Sequence, residues 1–203
     1  MDKAKIRLSP KETDLVINAE VILTKNTVLQ KARWLLEDVQ RQQQDFLQAN
    51  PGILPAEVLA ISPKISKGEN YKGLPFLILD LPRYFERNNH FAIRSMFWWG
   101  NYFSITLHLS GNYKETYIKK IDSVFNEMKK ENFYICTAED EWEHHIEQPN
   151  YLLLDEIDKK EFKVHTTRNN FLKLVKKVPL QQWDDAETII VESFSKMVNW
   201  LKN

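Results

Sequence analysis

The sequence predicts an α+β fold: a central antiparallel or mixed β-sheet of about five to six strands, packed by N-terminal, middle and C-terminal helices. Three observations lead there. Two aromatic-rich strand patterns flank the tight-turn pair Gly100-Asn101 in RSMFWWGNYFSITLHL. Such a turn joins antiparallel neighbours and cannot serve a parallel crossover. Long apolar stripes at helical spacing stand at both ends of the chain and in its middle. The elements also run as helices, then strands, a helix, strands and helices, which is not the alternation of a doubly wound fold.

The first helix starts at Ser9-Pro10-Lys11-Glu12, where Ser9 caps, Pro10 suits the first helical position and Glu12 completes a capping box. Leu15, Ala19, Ile22 and Leu23 continue it at helical spacing. Thr24 to Thr27 are weak helix formers and suggest a break, after which Val28, Ala32, Leu35, Leu36 and Val39 resume the stripe until Pro51. Residues 62–73, with Gly68 and Gly73, read as an exposed loop. PFLILDL reads as a central strand, apolar on both faces apart from Asp80.

The next two strands span about 90–99 and 102–110. With Gly100-Asn101 as a two-residue turn, opposing positions sum to 201. Trp98 then faces Phe103 and Arg94 faces Leu107 on an apolar side. Trp99 faces Tyr102, with Ser104, Thr106 and His108 on a mixed side. A longer turn would move that split by one residue. Tyr117, Ile118, Ile121, Val124, Phe125 and Met128 make a helical stripe behind Asn112. NFYICTA and NYLLLDEI read as strands and FKVHTT as an edge strand. A basic helix follows near 168–178. The last helix opens at Asp184 or Asp185 and buries Ala186, Ile190, Phe194, Met197 and Leu201.

Length and composition narrow the class. A chain of 203 residues with 43% hydrophobic and 12% aromatic content suits one domain over 1–203 and excludes a disordered polymer. Lys plus Arg equals Asp plus Glu at 28 each, so no overall field draws the chain to nucleic acid or an anionic membrane. No apolar run approaches the roughly 20 residues of a membrane span. The single cysteine, Cys136, permits no intramolecular disulfide and reads as a buried thiol in a cytoplasmic protein. The five glycines form no dinucleotide, P-loop or nucleophile-elbow pattern.

Functionally, the sequence points to a non-catalytic ligand-binding or protein-interaction module built on the aromatic hairpin 90–110, monomeric or homodimeric, without a cofactor. Its candidate ligand residues are Arg94, Trp99, Tyr102, Ser104 and Thr106. The alternative is an enzyme acting on a small anionic metabolite. Arg94 would clamp the anion with its bidentate fork, and His108 or Asp80 would move a proton. The plainer role of Arg94 is a buried cation paired with Asp80 or a helix acid. His144 and His145, among the acids of DEWEHHIEQ, are the metal-ligand candidates, but adjacent histidines point to different sides and no HExxH or CxxC completes a set. The aromatic hairpin lacks the basic and glycine pattern of an RNA-recognition sheet.

Overall fold

The computed structural model describes residues 6–202. The chain opens with α1 (Pro10–Ile17), α2 (Ala19–Ala49) and a single turn α3 (Ala56–Leu59). Four strands follow: β1 (Lys64–Tyr71), β2 (Leu74–Glu86), β3 (Asn89–Trp98) and β4 (Tyr102–Ser110). After α4 (Gly111–Ser123) and α5 (Phe125–Lys130) come the short strands β5 (Tyr134–Cys136) and β6 (Tyr151–Leu153). The chain ends with α6 (Lys159–Arg168), β7 (Phe171–Pro179) and α7 (Ala186–Leu201). The fold is α+β, with one seven-stranded sheet among the described residues, one strand more than expected. Its order is β1-β2-β3-β4-β7-β5-β6, and every pairing is antiparallel.

The N-terminal capping box forms as the residues dictate. Ser9 Oγ accepts from the Glu12 amide at 3.3 Å, and the Glu12 carboxylate accepts from the Ser9 amide at 2.7 Å. The break between the first two helices lies earlier than the threonines suggest. Asn18 ends α1 and caps α2, accepting the Glu20 amide at 3.0 Å, and α2 runs unbroken through Thr24–Thr27. Threonine disfavours a helix only by tenths of a kcal/mol, about 0.7 at most, and 31 residues of continuous ladder outweigh that.

From Leu29 onward α2 lays Leu29, Ala32, Leu36, Val39 and Leu47 on the sheet. Beside it α7 buries the predicted Ala186, Ile190, Phe194, Met197 and Leu201, and Phe46 meets Phe194 edge-on at 6.0 Å. These helices, with α4, cover one face of the sheet, formed by Leu79, Ile93, Phe97, Phe103, Ile105, Leu107 and Leu174. Each such side chain contributes about 1.5–3 kcal/mol by leaving water. The turn from β4 into α4 requires Gly111: its φ is +53°, and a Cβ there would lie 2.2 Å from the Asn88 carbonyl oxygen.

Several expectations are corrected. Residues 62–73 are not a loop, because Lys64–Tyr71 form an edge strand paired with β2, with Lys64 opposite Asp80. Only one side of an edge strand meets the core, so its polar composition resembles that of a loop. FKVHTT is helical, within α6: Asp158 caps it, accepting the Glu161 amide at 2.8 Å, and Phe162 and Thr166 bury one face four residues apart. The basic run near 168–178 is β7, alternating Phe171, Lys173 and Val175 on one side with Leu172 and Leu174 on the other. The middle helix starts at Gly111 with Ser110 as its cap residue, and it divides at Val124 into α4 and α5.

The hairpin turn holds three residues. Trp98 pairs with Tyr102, so opposing positions sum to 200, and the Asn101 amide donates to the Trp98 carbonyl at 3.1 Å. Gly100 sits at the left-handed position of this turn, with φ +71°. A one-residue change of register exchanges the faces of β4 relative to β3. Arg94 therefore lies beside Thr106, not Leu107, and Trp98 beside Tyr102, not Phe103.

Candidate functional site

That register gathers the polar side chains on the sheet face away from α2 and α7. Asp80 comes from β2, Arg94 and Trp98 from β3, Tyr102, Ser104, Thr106 and His108 from β4, and Lys173 from β7. The connection between β5 and β6, residues 137–150, folds across this face and buries it. Asp80, Ser104, Thr106, His108 and Lys173 are each less than a tenth exposed. Buried polar groups on this scale need partners, and the crossing segment supplies many of them.

Three anchors hold the segment down. The Lys173 ammonium donates to the carbonyl oxygens of Glu141 at 2.8 Å and Glu143 at 2.5 Å. The Tyr102 hydroxyl donates to the His144 carbonyl at 3.0 Å and accepts the Ile146 amide at 2.8 Å. The Tyr71 hydroxyl accepts the His144 amide at 2.8 Å and donates to the Glu143 carboxylate at 2.5 Å. Ile146, inserted beneath, joins Trp98, Tyr151 and Val175 in a second apolar cluster.

Burial sets the protonation of this layer. It pushes the Lys173 ammonium down to about 8 and the His108 imidazole down to about 4, the latter partly offset by the Glu141 hydrogen bond. His144 falls well below the usual histidine range for the same reason. Cys136, buried beside the layer, has its thiol pushed up by desolvation, which suits a structural role and not a nucleophilic one.

Within the layer lie two constellations. In the first, Arg94 donates through Nε and Nη2 to the two oxygens of Asp80, and its Nη1 lies 3.0 Å from His144 Nε2. In the second, one oxygen of Glu141 lies 3.1 Å from His90 Nδ1 and 3.0 Å from His108 Nε2. The two imidazole rings stand 5.4 Å apart, and Trp142 packs 5.6 Å from each. The Glu141 carboxyl is held below the usual carboxylate range, chiefly by its hydrogen bond to His108.

Of the residues singled out from sequence, the structure brings Arg94, Asp80, Tyr102, Ser104, Thr106 and His108 to this one face. Trp99 is elsewhere: it sits at the hairpin turn, 6.4 Å from Phe97, packed on the helix-covered core. His144 and His145 diverge as adjacent residues must. The first turns in to Arg94, and the second turns to Trp98, 5.3 Å away, and to the Glu147 carboxylate at 3.3 Å. Sequence reasoning missed Lys173 and the joining of His90, His108 and Glu141. Pairing sums of 200 would have placed His90 and His108 on one face, but nothing local in the sequence announces that Glu141 reaches them.

A depression of about 640 Å³ lies on the outer side of the crossing segment, bordered by Glu139, Asp140, Gln148, His165 and Arg168. Arg168 and Glu139 pair at 3.3 Å on its rim, and none of the hairpin residues borders it. No helix among the described residues is long and apolar enough to cross a membrane. No protein-family model, curated protein or solved structure matches this chain.

Proposed function

We propose that this chain is a non-catalytic interaction protein whose docking element is its N-terminal pair of helices, and that the occupant of this surface is a second copy of the chain. The observation that carries the reading is a run of solvated apolar side chains. Leu15, Val16, Ile17, Val21, Ile22 and Leu23 are between 42% and 76% exposed, and α1 buries none of its residues. A soluble surface tolerates scattered apolar residues, whereas six exposed ones within nine consecutive positions support a surface that another molecule covers. The aromatic hairpin is the weaker docking candidate, because Trp98 is 2% exposed and both hairpin faces are covered by the chain itself.

Charge favours a like partner. Over residues 6–27 the three basic side chains Arg7, Lys11 and Lys25 are matched by the acids Glu12, Asp14 and Glu20. A balanced segment has no attraction for nucleic acid or an anionic membrane and no repulsion from its own copy. Pairing of the same patch on two copies is the commonest closed arrangement. The reading in which Arg94 clamps a small anion, with His108 or Asp80 moving a proton, stands second: it requires the Arg94–Asp80 fork to open.

Sedimentation velocity across a concentration series tests the reading. A concentration-dependent dimer is expected, and Ile17→Glu with Ile22→Glu should return it to monomer with an unchanged far-UV circular dichroism spectrum. A chain that stays monomeric throughout, or a dimer that survives the double substitution, would overturn it. Binding of the monomer to phosphatidylserine vesicles would replace it with a membrane-surface role.

A further inference from the structure

The geometry points to a binding site for a first-row transition-metal dication formed by His90, His108 and Glu141, open to solvent on the Glu141 side. His90 lies on β3 and His108 on the adjacent strand β4, so two rigid strands fix the imidazoles on one face. Glu141 arrives from the crossing segment. One ligand atom from each residue lies within 4.8 Å of the others, and the two nitrogen-to-oxygen separations are 3.0 and 3.1 Å. An ion bound at about 2.0–2.2 Å by imidazole and carboxylate donors requires those donors to stand about 3.0–3.5 Å apart. Two edges of the donor triangle thus already have the length a bound ion needs, and the nitrogen–nitrogen edge, within 4.8 Å, closes around the ion.

The donor set selects the ion class. Two imidazole nitrogens and one carboxylate oxygen suit zinc, cobalt, nickel or ferrous iron. Calcium and magnesium prefer oxygen cages. Three protein ligands leave at least one coordination position for water or a small ligand. Access runs through the loop side, since the Glu141 side chain is 27% exposed while those of His90 and His108 are 11% and 5%. Trp142, Phe85 and Phe171 form an aromatic collar around the two rings, with centroids 5.5–6.2 Å from the histidines they touch. That collar restrains the ring orientations, a supporting role that metal sites depend on.

Lys173 is the opposing influence, opposite His108 in the ladder. Its ammonium is turned to the carbonyl oxygens of Glu141 and Glu143, which fixes the segment carrying Glu141. The site therefore has a placed carboxylate and a single negative charge, and its selectivity rests on the two nitrogens.

Cobalt(II) titration of the chelator-treated full chain, followed by visible absorption and by calorimetry, tests the site. The expected result is one ion per chain with a ligand-field band. Glu141→Gln and His90→Gln should each weaken binding by more than the about 10–100-fold that loss of an outer-shell partner costs. His145→Gln, outside the site, should bind as the parent does. Circular dichroism and thermal melts confirm that each variant is folded, and Glu141→Gln, on the partly exposed loop, keeps the test valid if His90→Gln does not fold. Absence of stoichiometric binding by the parent, or binding that survives Glu141→Gln unchanged, would overturn the site. In that case the cluster is a hydrogen-bonded brace only.

Discussion

Arg94 and Asp80 stand opposite each other on β3 and β2, and the guanidinium grips both carboxylate oxygens, at 2.7 Å through Nε and 3.0 Å through Nη2. Their side chains are 14% and 11% exposed, so the pair lives in a poorly solvated layer. A bidentate fork is the strongest geometry such a pair can adopt.

Breaking one half of that pair should be far worse than removing both. Asp80→Leu strands a buried cation, and urea unfolding is expected to show a loss of about 3–5 kcal/mol. Adding Arg94→Met should recover most of it, because two well-packed apolar residues replace two desolvated charges. A single-variant loss below about 1 kcal/mol, the range of an exposed pair, would show the pair to be solvated.

The Tyr102 hydroxyl both donates to and accepts from the crossing segment. In Tyr102→Phe the buried Ile146 amide loses its acceptor, at a cost of about 1–3 kcal/mol. Hydrogen exchange separates this local effect from a global one. The amides of His144 and Ile146 should exchange faster, while that of Leu107 in β4 should follow only the change in global stability. Equal acceleration at all three sites would mean that the segment does not open on its own.

Glu131 joins three elements, accepting from Lys196 on α7 at 2.7 Å and from Lys176 on β7 at 2.9 Å at the end of α5. These hydrogen bonds hold its carboxyl below the ordinary 4.5. A lowered folded value means stability that is present above pH 4.5 and is lost as the pH falls through the folded value. Glu131→Gln should therefore lower the urea midpoint at pH 7 and differ less from the parent at pH 3. A gap that is the same at both pH values would show that the ion pairs contribute nothing.

Much of this fold is legible in the residues. Ser9 and Glu12 announce α1, and the spacing of Ile190, Phe194, Met197 and Leu201 announces the buried face of α7. The partnership of Arg94 with Asp80 follows from two charges in neighbouring apolar strands. What stayed hidden depends on context. FKVHTT alternates like a strand, but the Asp158 cap and the Phe162–Thr166 spacing make it a helix. Lys173 and Lys176 suggest a helix face until period-two pairing with β4 turns one inward. A two-residue turn places the hairpin one residue out of its observed register, and that single step decides which side chains share a face with His108. Glu141 reaches His90 from 51 positions away, a contact that no local pattern encodes.

The sheet ends on two different margins, β6 and β1. At one side β6 has three residues; at the other β1 presents Lys64 and Lys67 and loses its regular register between Gly68 and Tyr71. Neither margin offers a long, flat row of unpaired amides to an incoming chain, so fibre growth by strand addition is discouraged at both ends. Folded copies at high concentration thus have few places at which one seven-stranded sheet can extend another.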